Sequence, residues 1–264
     1  MRCGDPALHG LSPRRVAVSP GRVGARLPLC AWALVVPVAV SAPARAQPQP
    51  DPARSVRLSD EATFTAWAHP ERRAPILQLP ARTSRRITRL HYLTEDGFPE
   101  VYLVLRSFTD PDQRTWLQVR IPMRPNGRTG WVATSALRPL RFVRTRLVVD
   151  RRQLRATLYD SGRRVWRSPI GVGKPSTPTP AGRFWIRERI TSPDPSGSYG
   201  PEAFGTSAYS SLAGWPGGGV VGIHGTNEPD LIPGQPSHGC IRVPNRSIRR
   251  LARLMPIGTP IWIQ

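Results

Sequence analysis

Lysine is nearly absent from this chain. Lys174 is the only one, and every other basic residue except histidine is arginine. Acids are scarce as well: 17 Asp and Glu stand against 38 Lys and Arg, a formal charge of +21. Such an excess attracts polyanions. The arginines are scattered rather than gathered into a stripe, however, which argues against a nucleic-acid partner and leaves anionic polymers as the charge-compatible class. Long apolar runs are missing too. None in the body of the chain extends cleanly past 18 residues, which excludes a polytopic membrane protein. Cysteine occurs three times, at positions 3, 30 and 240. The 23 Gly and 31 Pro stay below the roughly 25–30% typical of low-complexity chains. With 39% hydrophobic residues, they point to a turn-rich, mainly β protein with a packed core.

What is present at the N-terminus has the order of an export signal. Arg2, Arg14, Arg15, Arg22 and Arg26 precede an apolar stretch from Leu27 to about Ala42, and Ala44-Arg45-Ala46 follows as a small-residue cleavage pattern. Residues 1–46 are therefore expected to be a signal peptide, and the protein to be exported to the cell wall, periplasm or exterior. Cys3 and Cys30 leave with that segment, so the exported chain cannot close an internal disulfide, and Cys240 remains as its single thiol. Residues 47–71 read as a Pro-rich, polar linker.

Two folded regions follow. Residues 72–141 alternate short apolar stretches with turn signals: Val101–Leu105, Trp116–Ile121 and Gly130-Trp131-Val132 read as strands, Glu95-Asp96-Gly97 and Asn126-Gly127 as turns. No nucleophile–base pair lies there. Residues 142–264 read as a β-sandwich with one short helix. Leu154, Ala156 and Leu158 alternate, Asp160-Ser161-Gly162 turns, and Val165 to Val172 returns as the hairpin partner. Ile248, Leu251, Ala252 and Met255 repeat at helical spacing behind Asn245 as the expected N-cap, with Pro256 and Gly258 as stops. Gly171-Val172-Gly173-Lys174 is not a phosphate-binding loop, because Ser168 and Pro175 stand where that motif needs Gly and Ser or Thr.

The chemistry concentrates in Ile223-His224-Gly225-Thr226 and Ser237-His238-Gly239-Cys240-Ile241-Arg242. A free thiol has a pKa of about 8.5 and needs a base to act near neutral pH. Two imidazoles are available. His238 is two residues from Cys240 and shares its face if the backbone is extended. His224 ends an apolar strand, and the intervening loop can return it to the thiol. The amides of Gly239 and Cys240 are plausible oxyanion donors. Two other readings stand beside this one: Cys240 as an apolar filler with histidines that cap loops, and a zinc site. The second lacks a carboxylate partner or second ligand pair, with Glu228 and Asp230 read as solvated.

His224-Gly225-Thr226, Ser237-His238-Gly239-Cys240, Arg242, Asn245, Thr179-Pro180-Ala181-Gly182 and Gly258-Thr259-Pro260-Ile261 together resemble the L,D-transpeptidase (YkuD) family over about 120 residues. Thr115-Trp116-Leu117-Gln118-Val119 and Gly130-Trp131-Val132 resemble a bacterial SH3-like barrel over about 65. The first resemblance implies a cysteine acyltransferase and carbapenem target that needs no cofactor or metal. Cys240 is then the nucleophile, His224 the proton donor and acceptor, and the Gly225 carbonyl the group that orients it. His238, Ser237 and Arg242 are substrate-binding residues, His238 lining the site and Ser237 and Arg242 supporting its loop. The implied partner is a peptidoglycan stem peptide, the acceptor an amine or water, and the protein a monomer. A non-catalytic wall-binding protein of the same architecture is the alternative. The chemistry is expected to need residues 144–264 alone, with the Gly/Ser/Pro-rich stretch from Ser192 to Gly219 as a covering or self-packed loop.

Overall fold

The computed structural model describes residues 54–212, 214 and 216–264. The proposed leader and the first seven residues of the linker lie outside the described residues. The architecture is mainly β, with one α-helix among the described residues.

The N-terminal sheet begins earlier than its composition suggests. Ser55–Arg57 pairs with Tyr102–Thr109. Thr65–Ala68, buried at all four residues, lies between Tyr102–Thr109 and Arg141–Val143. Residues 55–71 are thus part of a folded sheet rather than a linker. Polar and charged residues flank Thr-Ala-Trp-Ala, and they mask four residues small or apolar enough to sit in a central strand. The three strands expected from sequence form as Tyr102–Thr109, Thr115–Arg120 and Thr129–Ala133. They bury Tyr102, Val104, Leu117, Val119 and Val132 against Ala66, Ile76 and Leu90.

The second sheet has ten strands. Its order runs Arg163–Pro169, Arg155–Asp160, Thr145–Asp150, Pro260–Ile263, Gly182–Thr191, Glu202–Tyr209, Val220–His224, Ile241–Arg242, Gly171–Gly173, Gly234–Ser237. The first hairpin turns at Ser161 and Gly162, both at positive φ (49° and 80°), the conformation that a two-residue loop needs to follow the strand twist. Gly182–Thr191 holds the halves together: Gly182 to Trp185 pair with Pro260–Ile263, and Ile186 to Thr191 pair with Glu202–Tyr209. The helix, Asn245–Leu254, buries Ile248, Leu251 and Ala252 in the same core as Leu147, Phe204 and Ile223. Its cap is Pro244 with no side-chain bond. Asn245 is not the N-cap, because its carboxamide is used elsewhere.

The two sheets share a seam with its own core of Trp67, Val101, Leu103, Val143 and Trp185. The Trp185 indole donates to the Val101 carbonyl at 2.8 Å. Beside it Arg187, 3% exposed, pairs bidentately with the equally buried Glu100 and reaches Glu95 at 2.9 Å. Thr94 donates to the neighbouring Glu188. Glu61 receives Arg120 at 2.6 and 2.8 Å and Arg183 at 3.4 Å. Removing one partner of a buried, doubly bonded pair of this kind costs several kcal/mol, about 3–5, because the other charge is stranded.

Candidate active site

Parallel pairing of two short strands assembles the site. Ile223 stands opposite Ile241 and His224 opposite Arg242, which sets Gly222 opposite Cys240. Paired residues of a parallel ladder project to the same face, and so do residues two apart. His224 and Cys240 therefore rise from one face, with the side-chain-free Gly222 between them. The Gly222 N–H points to the Cys240 sulfur at 3.4 Å. Sixteen residues of separation in sequence become one diagonal step across the sheet.

His224 is buried, 5% exposed, and its Nδ1 lies 2.6 Å from the carbonyl oxygen of its neighbour Gly225. A carbonyl only accepts, so Nδ1 carries the proton and Nε2 presents a lone pair. Burial pulls the imidazole pKa down, to about 4. The Gly225 bond works in the other direction, and the Arg242 charge adds to the depression. The side chain is consequently neutral at pH 7, poised to receive a proton rather than already holding two. Tyr199 packs on its ring at 4.7 Å between centroids. Nothing in a Gly/Ser/Pro-rich loop marks Tyr199 beforehand, and only the folded loop reveals it.

The turn that carries the thiol is fastened on both sides. Ser237 Oγ donates to the Cys240 carbonyl at 2.6 Å and receives the Gly239 N–H at 3.1 Å. Thr179 Oγ1 donates to the Gly239 carbonyl at 2.9 Å and receives the Gly173 N–H at 2.9 Å. The Lys174 N–H bonds the Ser237 carbonyl at 2.8 Å. Gly239 has φ +123°, and a Cβ there would come within 3.2 Å of the Ser210 Cβ, so this position requires glycine. These contacts bear on the expected roles of Gly239, Cys240 and Ser237. The Gly239 amide is committed to Ser237 and is not presented as an oxyanion donor. The Cys240 amide lies across the peptide whose carbonyl Thr179 holds, so that bond fixes its direction without contradicting its expected role. Ser237, 3% exposed, braces the turn, the loop-supporting role expected of it. The bend at His238 and Gly239 also removes the extended backbone that would have aligned His238 with Cys240. His238 remains half-buried on the rim of the turn.

Arg242 bonds Glu228 at 2.5 Å; Glu228 is solvent-exposed, as expected, and it engages the guanidinium beside His224. The Asn245 Oδ1 accepts the Thr226 N–H at 2.8 Å and lies where a Cβ on either Gly200 or Gly225 would fall within 2.4 Å of it. Asn245 thereby ties the Tyr199 loop, the carbonyl that orients His224 and the start of the helix into one knot. Gly171–Gly173 is a strand beside the turn, in keeping with the absence of a phosphate loop.

The YkuD family model, described as the L,D-transpeptidase catalytic domain, matches residues 144–263. Over this region the chain is similar to the YkuD L,D-transpeptidase catalytic domain. A Bacillus licheniformis protein named as a YkuD L,D-transpeptidase is 40% identical to it over 106 residues, covering 40% of this chain and 57% of that protein. Its Bacillus subtilis (strain 168) counterpart is 38% identical over 95 residues, covering 36% and 51%. The chain thus spans little more than half the length of these relatives. Among solved structures, the catalytic domain of the E. faecium L,D-transpeptidase is 24% identical, covering 46% of this chain and 96% of that one, with a TM-score of 0.34. The YkuD domain contains the parallel strand pair, the thiol turn, Thr179 and Asn245, while the N-terminal sheet lies outside it.

Proposed function

We propose that this protein is an exported peptidoglycan L,D-transpeptidase in which Cys240 and His224 carry out acyl transfer. The Cys240 sulfur attacks the carbonyl of the third residue of a tetrapeptide stem, at its L-centre, as the thiol proton passes to His224 Nε2. The C–N bond to the terminal D-alanine then breaks, and its amine takes that proton from His224. A thioester remains. An amine of a second stem attacks it, gives its proton to His224, and displaces the sulfur, which is reprotonated. The Gly225 carbonyl keeps the imidazole in the tautomer both halves need, and the Cys240 amide is the backbone donor assigned to the oxyanion. Water in place of the amine makes the same site an L,D-carboxypeptidase. The N-terminal sheet, SH3-like in its sequence, would keep the enzyme on the wall polymer, aided by the arginine-rich surface. The protein would act as a monomer without a cofactor.

The observation that carries the reading is the buried, neutral His224, held by its own neighbour and set on the same face as the single thiol. Incubating the full exported chain with purified disaccharide-tetrapeptide and weighing the products is the test. A cross-linked dimer less one D-alanine, absent with Cys240→Ala, is expected. Product that persists in Cys240→Ala would discard the assigned nucleophile, and recovery of unaltered substrate would leave the wall-binding alternative.

A further inference from the structure

The segment after Tyr209 forms one wall of the thiol turn, and the N-terminal sheet holds its root. Ser210 packs against Gly239, where a Cβ would lie 3.2 Å from the Ser210 Cβ. The Ser210 N–H closes the loop by bonding the Gly219 carbonyl at 2.9 Å. At this end of Glu202–Tyr209 the backbone has passed the last residue of Gly182–Thr191 that pairs with it, since that ladder stops at Thr206. A backbone edge that leaves its ladder must find other partners when it is enclosed. The partner is a side chain from the other sheet. The Asn126 carboxamide accepts the Tyr209 N–H at 3.0 Å and donates to the Tyr209 carbonyl at 2.8 Å, occupying both groups as a paired strand residue would.

Arg124, two residues away, completes the grip. Its guanidinium donates to the Ser210 carbonyl at 3.1 Å and lies over the Tyr209 ring at 4.7 Å. A Cβ on Gly219 would come within 2.6 Å of its Nη2, so the group is set against both strands of the loop's root. The Tyr209 hydroxyl meets the Glu95 carboxylate and the Pro122 carbonyl. Glu95 is itself bonded to Arg187 in the seam. All these partners outside the YkuD domain belong to two turns of the N-terminal sheet.

We infer that Asn126 and Arg124 are positioning residues for acyl transfer: through Tyr209 and Ser210 they fix the wall over the Gly239–Cys240 turn, and so set how a bulky acyl donor approaches the thiol. The inference rests on the acyl-transfer reading of Cys240. It also reverses the expectation that the chemistry needs residues 144–264 alone.

The test uses the full exported chain with Asn126→Ala, Arg124→Ala and the double substitution. Two reagents are compared by intact mass: a carbapenem, which must be accommodated under the wall, and iodoacetamide, which is small. Carbapenem acylation of the double variant should slow by roughly 10- to 10²-fold, up to the scale of an ångström-level misplacement, while iodoacetamide alkylation changes less than twofold. Amide exchange at Tyr209 and Ser210 should rise with that of Thr115–Arg120 unchanged. Asn126→Asp, which keeps the acceptor and loses the donor, should fall between parent and Asn126→Ala, and it serves if the double variant does not fold. Parental acylation rates in a folded variant, or equal slowing by both reagents, would overturn the inference alone. A parent that forms no carbapenem adduct at Cys240 would overturn the acyl-transfer reading and this inference with it.

Discussion

The seam and the site both bury ionisable side chains, and they treat them in opposite ways. In the seam Arg187 is surrounded by Glu100 and Glu95. Burial works against its charge, but the two carboxylates more than offset this, and its pKa is pushed above the ordinary value. At the site His224 is buried as deeply with only a carbonyl for a partner and a like-signed guanidinium nearby, so burial wins and the charge is given up. A buried group with a counter-ion is fixed in its charged state and serves structure. A buried base without one stays neutral and is available for proton transfer.

The sharpest way to break this contrast is to remove the base. His224→Ala should slow acylation of Cys240 by about 10²-fold or more, with the melting temperature little changed. In the parent, the acid limb of the acylation rate should lie near pH 4, where the imidazole gains its second proton, and not near 6.5. A limb at 6.5 would mean that burial does not govern this histidine.

The seam should respond in stability instead. Arg187→Ala strands Glu100 and should lower unfolding free energy by about 3–5 kcal/mol, read by thermal or denaturant unfolding. Arg187→Met combined with Glu100→Gln should cost much less than Arg187→Ala, because the deeply buried Glu100 charge is removed with its partner and only the partly exposed Glu95 loses one. Equal costs would show that the pair contributes by attraction rather than by cancelling a burial penalty.

Glu188 refines the comparison, since it lies in the seam yet has no full counter-ion. Burial raises its pKa to about 7; the Thr94 bond opposes the rise, Asp96 adds to it, and Arg187 pulls the other way. A carboxyl whose folded pKa is raised binds its proton more tightly when folded. Its contribution to stability is fully present below the unfolded value of about 4.5 and is lost as pH rises through about 7. Unfolding free energy measured from pH 4 to 8 should fall across that window, and Glu188→Gln should flatten the fall. An unchanged slope in that variant would assign the titration to another group.

The smallest effect expected is that of Thr179→Val. It leaves the Gly239 carbonyl and the Gly173 N–H without their shared hydroxyl, at a cost of about 1–3 kcal/mol, and should loosen the turn enough to slow acylation modestly. No loss of either kind would mean that the turn is held by Ser237 alone.

Local pattern carried much of this structure. The alternation of Ala156 and Leu158, the Asp-Ser-Gly turn and the helical spacing from Ile248 to Met255 each depend on near neighbours, and each forms where expected. The Cys240 and His224 constellation was legible because glycines and histidines in two short segments are chemically conspicuous. Other parts depend on partners far along the chain. Asn245 has the residue type of an N-cap, but it is drawn to Thr226 across the sheet. The Gly239 amide reads as an oxyanion donor until Ser237 is seen to occupy it. Thr65–Ala68 is masked by its polar flanks. Asn126 reads as a turn residue, which it is, and nothing nearby announces that its carboxamide completes a strand in the other sheet.

Gly182–Thr191 has one more consequence, for cooperativity. This single strand is a ladder member of the second sheet along its edges, and Trp185 and Arg187 on it are also the second sheet's part of the seam. The strand cannot melt out of one sheet while remaining docked to the other. Residues 54–264 should therefore unfold as one calorimetric unit despite having two cores, and a fragment that begins at residue 144 would expose Trp185 and a stranded guanidinium to solvent along its central strand. Such a face associates with whatever apolar surface it meets, so the fragment's first property in solution should be self-association.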